Sequence, residues 1–350
     1  MSIETKNILI TGGCGFIGSN FIRHFYHRHP EYRIFNLDLL TYAGNPDNLV
    51  DIEERELNSK MAEKRYNFIY GDICDSRLLD IIFSRYTFDL VVNFAAETHV
   101  DRSIINTSNF IRTNIGGTHS LLEAVRAHRV PRIIHISTDE IYGSIPEGLS
   151  HENTPLRPSN PYATSKAAAD LIVQSFINTH KVPAIIIRAS NNYGPYQYPE
   201  KLIPLTISNL IEGGKISIHG TGQHIRSWLH VEDFCSAIDF IAKKGELLNI
   251  YNVSGEERTN LEVVRLVARE LNRMADNHIH YINDRPGADA RYAPDYAKLR
   301  ALGWERKYSF DESMKDVVAW YINNQEWWKK IKNTKEFLNH YEKQSKGQWY

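Results

Sequence analysis

Six short apolar runs recur along the first two-thirds of the chain: Asn7–Thr11, Arg33–Asp38, Tyr66–Tyr70, Leu90–Phe94, Arg132–Ile136 and Ala184–Arg188. Each is too short for a buried helix and is followed by glycine, small or polar residues, as strands buried on both faces are. Between them apolar positions return at helical spacing over Ser19–His29, Ser76–Tyr86, Ile105–His128 and Asn160–His180. Alternation of this kind predicts an α/β fold, a Rossmann-type doubly wound parallel sheet. Beyond Ala189 the elements shorten. A helix ends near Glu212 and a strand covers Ser217–His219. Gly220–Trp228 reads as a glycine-rich loop. Helices at Val231–Lys243 and Leu261–Met274 flank a strand at Asn249–Val253. This half predicts a smaller C-terminal α/β substrate subdomain. Residues 1–190 mainly form the dinucleotide-binding domain, residues 191–330 mainly the substrate subdomain interwoven with it, and residues 331–350 a charged tail, frayed or disordered. Phe310–Trp328 reads as an amphipathic helix with Val317, Trp320, Tyr321 and Trp328 in the core. Thr41–Arg65 is a polar insert, charged and exposed from Leu57 onward.

The first turn carries a glycine pattern. Gly12, Gly15 and Gly18 follow the first strand and open the first helix, so the backbone N–H groups of Phe16, Ile17 and Gly18 can approach a pyrophosphate at a helix N-terminus. Asp38 closes the second strand about 20 residues later, where a carboxylate accepts from both ribose hydroxyls and repels a 2′-phosphate. The expected cofactor is therefore NAD. After the third strand, Asp72 is placed to meet the adenine amine and Ile73 its face, unless Asp72 caps the following helix. Ala95 and Ala96 are small enough for a cofactor to lie close. Asn114, a poor helix former, sits within the predicted Ile105–His128 helix, where it holds a water or backbone carbonyl near the site or faces solvent.

Chemistry concentrates between Ser137 and Asp170. Tyr162 and Lys166 are four residues apart, one turn along a helix that Asn160 and Pro161 begin. A lysine one turn from a phenol stabilises its phenolate. An unperturbed Tyr titrates near ~10, so a base working near neutrality needs a shift of roughly 3 units. Thr138, Asp139 and Glu140 leave the fifth strand just before, and two adjacent acids there suit acid–base work. The polar run Glu97–Ser103, including His99, stands at a strand's carboxyl end, the edge where open α/β sheets bind substrates. In the C-terminal half, Arg226, Arg285 and Arg291 are forked cations suited to a diphosphate.

Composition narrows the field. The net charge is −1 with both signs interspersed, which argues against nucleic acid or a membrane surface as partner. Cys14, Cys74 and Cys235 are far apart in the sequence, as free thiols of a reducing compartment are. No apolar run reaches the ~18 residues of a membrane span, and the first residues carry no secretory pattern, so a cytoplasmic protein is expected. His24, His27 and His29 have no further ligand beside them. They read as a solvated helix face, and no metal is expected.

GGCGFIGS, LDLLTYAGN, AAETHVDRSI, STDEIYG, NPYATSKAAAD, SNNYGPYQYPEKLIPL and DRPGADARY together resemble the extended short-chain dehydrogenase/reductase family, over Lys6 to about Lys330, and within it the nucleotide-sugar 4,6-dehydratases. The resemblance implies a catalytic set of Thr138, Asp139, Glu140, Tyr162 and Lys166, and adds Thr41 to the NAD contacts. It implies a nucleotide-diphosphate sugar, dTDP-glucose first, bound by His99, Thr138, Asn191, Lys201, Leu202, His219, Arg226, Asn260, Asp284, Arg285 and Arg291. It also implies a homodimer through the helices at Ile105–His128 and Asn160–His180. His219, Ser227, Ala288 and Ala290 depart from the family pattern, so UDP-glucose or a UDP-amino sugar stays open as substrate. A 4-epimerase and a non-catalytic binding protein are the other readings.

Overall fold

A computed structural model describes residues 5–59 and 64–348 of the chain. Its strands are β1 (Lys6–Thr11), β2 (Tyr32–Asp38), β3 (Tyr66–Tyr70), β4 (Leu90–Asn93), β5 (Ile133–Thr138), β6 (Ala184–Ala189), β7 (Asn191–Tyr193), β8 (Ile216–His219), β9 (Ile225–His230), β10 (Ile250–Val253), β11 (Glu256–Thr259) and β12 (Ile279–Ile282). Seven form one parallel sheet in the order β3-β2-β1-β4-β5-β6-β10. Alternate residues of each strand enter opposite faces, as the two-residue period requires. Ile8, Ile10, Ile34, Val92 and Ile134 pack with Phe21, Ile22 and Phe25 of the helix Phe16–Arg28 and with Phe234 and Ile238 of Val231–Lys244. Leu9, Phe35, Val91 and Ile133 pack with Leu79, Leu122 and Val173 of the helices Ser76–Arg85, Thr118–Ala127 and Pro161–His180. The strand order reverses between β1 and β4, and a crevice opens there at the carboxyl ends of the strands. Two small sheets, β7-β9-β11 and β8-β12, come from the second half of the chain, and Asn191 and Asn192 of β7 line that crevice. Among the described residues no helix is long and apolar enough to cross a membrane.

Several expectations are corrected. Part of the Gly220–Trp228 loop is strand β9, because Glu256–Thr259 pairs with it antiparallel; that pairing is non-local and the partner is polar. The helix expected over Ile105–His128 is broken: Val100–Ile105 ends at the extended Asn106, and Ile111–Gly117 winds as a π-helix before Thr118–Ala127. The predicted Phe310–Trp328 helix divides at Asn324, whose amide donates to Trp320 O at 2.8 Å. Val317, Tyr321 and Trp328 are buried in the core as expected. His24 and His29 are not solvated. The Phe16–Arg28 helix packs against Val231–Lys244, where His29 Nε2 lies 2.9 Å and His24 Nε2 3.6 Å from the Asp239 carboxylate. Burial works against ionising Asp239, but hydrogen bonds from these imidazoles hold its pKa far below the usual range. In the charged insert, Lys60–Glu63 lie outside the described residues. Arg65 is drawn in, donating to Tyr26 O and His29 O at 3.0 and 2.7 Å. The tail expected to be frayed or disordered instead holds the end of the helix Gln325–Lys332 and the helix Lys335–Lys346, with Phe337, His340 and Gln344 buried; Trp349 and Tyr350 lie outside the described residues.

Candidate active site

The glycine turn between β1 and the first helix divides its labour. Gly12 has φ +70°, and a Cβ there would stand 2.6 Å from Ala95 N; a Cβ on Gly18 would meet Gly12 O at 2.3 Å. Both glycines therefore serve close packing. A Cβ on Gly15 would meet only Gly12 O, at 3.3 Å, so this residue has room on the crevice side. The helix it begins has no side-chain cap. Its first N–H groups are left for an anion. Asp38 closes β2, buried, its two oxygens accepting from Cys14 N and Leu40 N, each at 2.8 Å. Burial raises its pKa while those two donors oppose the rise. Thr41, Asp72, Ile73, Ala95 and Ala96 join Asp38 on the same wall. Asp72 does not cap the helix at Ser76: Asp75 does, accepting from Arg77 N and Leu78 N. Asp72 instead accepts from Cys74 N at 2.8 Å and pairs with Arg112. An open glycine, an uncapped helix end and a strand-end carboxylate in one crevice fit a dinucleotide.

Thr138 ends β5, and Asp139–Tyr142 follow as a 3₁₀ turn. Gly143 closes that turn at φ +72°, where any Cβ would strike Arg157 O at 2.2 Å. Asn160 caps the next helix, accepting from Ala163 N at 2.9 Å, with Pro161 in its first turn. Tyr162 and Lys166 share the buried face of this helix, and with Thr138, Asp139 and Glu140 they line the crevice beside Gly12–Gly18. Lys166 Nζ donates to Ile136 O at 2.6 Å. Burial lowers its pKa to about 8 against the pull of Asp170. Burial, then the Glu140 charge, raise the Tyr162 phenol, and the Thr138 hydroxyl opposes them. The two acids differ. Burial and then Glu140 push Asp139 well above the carboxylate range, and its Oδ2 is buried without a hydrogen-bond partner. Burial raises Glu140 as well, but Arg226 and Lys201 pull it back. Two carboxyls with pKa values pushed apart are an acid and a base side by side.

Tyr292, which no local pattern singled out, completes this centre beside Arg226 and Asn114, which the sequence offers. Tyr292 donates to Asp289 at 2.7 Å and approaches Glu140 Oε2 at 3.4 Å. Arg226 lies over the Tyr292 ring, 4.2 Å from its centroid. Asn114 sits in the π-helical stretch: its Oδ1 accepts from Glu97 N at 2.8 Å, and its amide donates to Glu97 O at 3.0 Å and Ser165 Oγ at 2.8 Å. The π turn thus ties the helix that carries Tyr162 and Lys166 to the strand-end loop.

A second cavity continues from the first, sharing Glu140, Asn191, Glu200 and Lys201. Of the expected substrate residues, Thr138 lies in the first cavity, while His99, Asn191, Lys201, Leu202, His219, Arg226, Asn260, Asp284 and Arg285 line the second. Arg291 does not reach either: Glu257 holds its guanidinium at 2.7 Å through two contacts, and Ile145 O and Gly148 O accept from it. It braces a loop to β11. Asp101 enters only as a member of the polar run Glu97–Ser103, and nothing singles out Glu200, Tyr341 or Gln344 beyond the spacing of Phe337, Tyr341 and Gln344, that of one helical face. Burial keeps the His99 and His340 imidazoles neutral, His340 with its pKa at about 4. His99, Glu200 and His340 bring potential metal-ligand atoms within 4.8 Å of one another, but Arg102 Nη2 sits 3.0 Å from Glu200 Oε2. That carboxylate is already neutralised by a cation.

Residues 9–317 match the family model described as GDP-mannose 4,6 dehydratase. The chain is 42% identical to dTDP-glucose 4,6-dehydratase of Streptomyces niveus, over 94% of this chain and 96% of that protein. It is 44% identical to the enzyme of that name from Neisseria gonorrhoeae, over 91% and 96%. The crystal structure of dTDP-glucose 4,6-dehydratase from Bacillus anthracis in complex with NAD superposes with TM-score 0.85 at 42% identity, covering 93% of this chain and all of that one.

Proposed function

This chain belongs to the GDP-mannose 4,6-dehydratase family, and from that premise we propose that it is an NAD-dependent nucleotide-sugar 4,6-dehydratase whose substrate is dTDP-glucose. The observation that carries the reading is the joint placement of Asp139 and Glu140 with Tyr162 and Lys166 in one crevice. Oxidation alone needs a base for one hydroxyl; elimination needs a further acid and base, and both are present. When bound, NAD supplies a hydride acceptor at hexose C4 and a hydride donor at C6, and its positive ring lowers the Tyr162 phenol. Tyr162, assisted by Thr138 and Lys166, takes the proton of the 4-hydroxyl. The resulting 4-ketone acidifies the C5 proton, which Glu140 removes. Asp139, kept protonated by burial, donates to the departing 6-hydroxyl. A proton returns to C5, and the product is the 4-keto-6-deoxy sugar nucleotide plus water. The uncapped helix at Gly15 would hold the pyrophosphate of the cofactor, and Asp38 would accept from its ribose. Lys201, Arg226 and Arg285 supply the positive charge that a sugar-nucleotide diphosphate requires.

Mass spectrometry of incubations with dTDP-glucose and UDP-glucose tests this. The dTDP sugar is expected to lose the mass of one water and to be turned over faster than the UDP sugar. A product of unchanged mass points to a 4-epimerase, and bound nucleotide sugar without any product to a non-catalytic protein.

We also infer a cytoplasmic homodimer. Cys14, Cys74 and Cys235 are unpaired thiols, as a reducing compartment keeps them. Ile105, Ile111 and Leu171, on the broken helical stretch and the Tyr–Lys helix, are 41%, 56% and 54% exposed. They are apolar residues that a second copy would cover. Leu171→Glu is expected to shift the mass measured by light scattering from dimer to monomer; an unshifted dimer would remove these helices from the interface.

A further inference from the structure

The family match ends at residue 317, but the chain continues, and its last helix returns to the substrate cavity. Thr334 caps that helix, accepting from Phe337 N at 3.2 Å. Phe337 is buried between Tyr198 and Tyr341. Arg102 donates to Glu336 at 2.9 Å, and the Tyr341 hydroxyl accepts from Asn209 at 2.9 Å. Fastened in this way, the helix lends Tyr341, Gln344 and Ser345 to the cavity lining.

Gln344 makes the decisive contacts. Its Nε2 donates to Asp101 Oδ2 at 2.9 Å and to Glu200 O at 3.3 Å. Asp101 is fully buried, and its Oδ1 lies 2.5 Å from Arg285 Nε. Arg285 lines the cavity. A buried carboxylate between an arginine fork and one further donor has its orientation set by both. The further donor here is a neutral amide, so it satisfies Asp101 without adding a charge that would compete with Arg285.

Resting on the reading of this cavity as a nucleotide-sugar site, we propose that the helix Lys335–Lys346 is one of its walls and that Gln344 is a positioning residue, holding Asp101 so that Asp101 aims Arg285 at the ligand's diphosphate. The helix lies outside residues 9–317, the stretch that the family model matches.

Calorimetric titration of the NAD-loaded protein with dTDP, UDP and GDP tests this without turnover. Gln344→Ala is expected to weaken the nucleoside diphosphate that binds best by about tenfold. Gln344→Glu, which sets a carboxylate against Asp101, is expected to weaken it further. A chain ending at Thr334 should lose more again. In turnover the Gln344→Ala defect should fall on KM, with kcat changed less and NAD content unaltered. Gln344→Ala keeps the helix and its Phe337 and Tyr341 contacts, so it keeps the test decisive if the shortened chain does not fold. Unchanged affinity and KM in a folded Gln344→Ala protein would overturn the proposal, as would failure of all three diphosphates to bind the unmodified protein. Binding that weakens as expected in a protein that dehydrates no sugar would leave this proposal standing and sink the dehydratase reading instead.

Discussion

Glu140→Gln protein given dTDP-glucose is expected to reduce its bound NAD and release no dehydrated sugar. Gln keeps the shape of Glu and an oxygen that can accept from Tyr292, now 3.4 Å from Glu140 Oε2. It cannot take a proton from C5. Turnover should fall about 10²–10⁴-fold, the usual worth of a positioned base. The first step should not slow. The Glu140 charge, after burial, is what raises the Tyr162 phenol, so its removal makes Tyr162 the stronger acid and shifts the alkaline-going limb of NAD reduction to lower pH. Solvent deuterium separates the two acids. Glu140→Gln should abolish exchange at C5, whereas Asp139→Asn should retain exchange and lose water departure. In the unmodified enzyme the same pair predicts a bell-shaped pH profile. Activity needs Glu140 ionised, and burial raises its pKa, so rate falls on the acid side earlier than for an ordinary carboxylate. The proposed scheme needs Asp139 protonated, and burial with the Glu140 charge pushes its pKa well above the carboxylate range, so rate falls again on the alkaline side as Asp139 loses its proton. The measurements are reduced-nicotinamide absorbance, product mass and C5 deuterium content. Full-rate water loss in Glu140→Gln would remove Glu140 from the role given to it.

Parts of this site were legible because their signals are local. A strand, a glycine turn, a helix and a strand-end Asp occur within Asn7–Asp38, and the Tyr162–Lys166 spacing is a single helical turn, so short-range geometry places them. The departures are non-local. Strand β9 exists because Glu256–Thr259 on one side and Asn191–Tyr193 on the other supply its ladder partners, and no apolar alternation in EERT announces that. His24 and His29 look like a solvated face until Asp239, about 200 residues later, packs against them. Arg291 has the chemistry of a diphosphate ligand, but Glu257 takes it first. The last helix is as charged as a disordered tail, yet one face, Phe337, His340 and Gln344, is apolar or hydrogen-bonded enough to fold back. Charge composition alone does not distinguish a solvated segment from one whose polar groups have buried partners.

Tyr162→Phe should stop the reaction one step earlier than Glu140→Gln. The phenol is the group in this crevice placed to take the 4-hydroxyl proton with a lysine behind it. Lys166 itself gives one hydrogen bond to Ile136 O and, with its pKa near 8, stays largely protonated at neutral pH. A cation is no base. Removing the phenol oxygen therefore leaves hydride departure from C4 without a proton acceptor, and turnover is expected to fall by about 10⁴-fold, at the upper end for such a group. The ring stays. Tyr162 is buried, edge-on to Phe110 with centroids 6.3 Å apart, and its backbone N–H donates to Ser103 Oγ at 3.2 Å. Phe keeps both contacts, so melting temperature and NAD content should hold. The two variants then differ in one readout: Glu140→Gln accumulates reduced nicotinamide and Tyr162→Phe does not. The double variant Tyr162→Phe with Glu140→Gln should match Tyr162→Phe alone, because the second base has no ketone to act on. Reduced nicotinamide forming in Tyr162→Phe at the unmodified rate would transfer the first proton to another group, and the order of steps built on Tyr162 and Lys166 would fall with it.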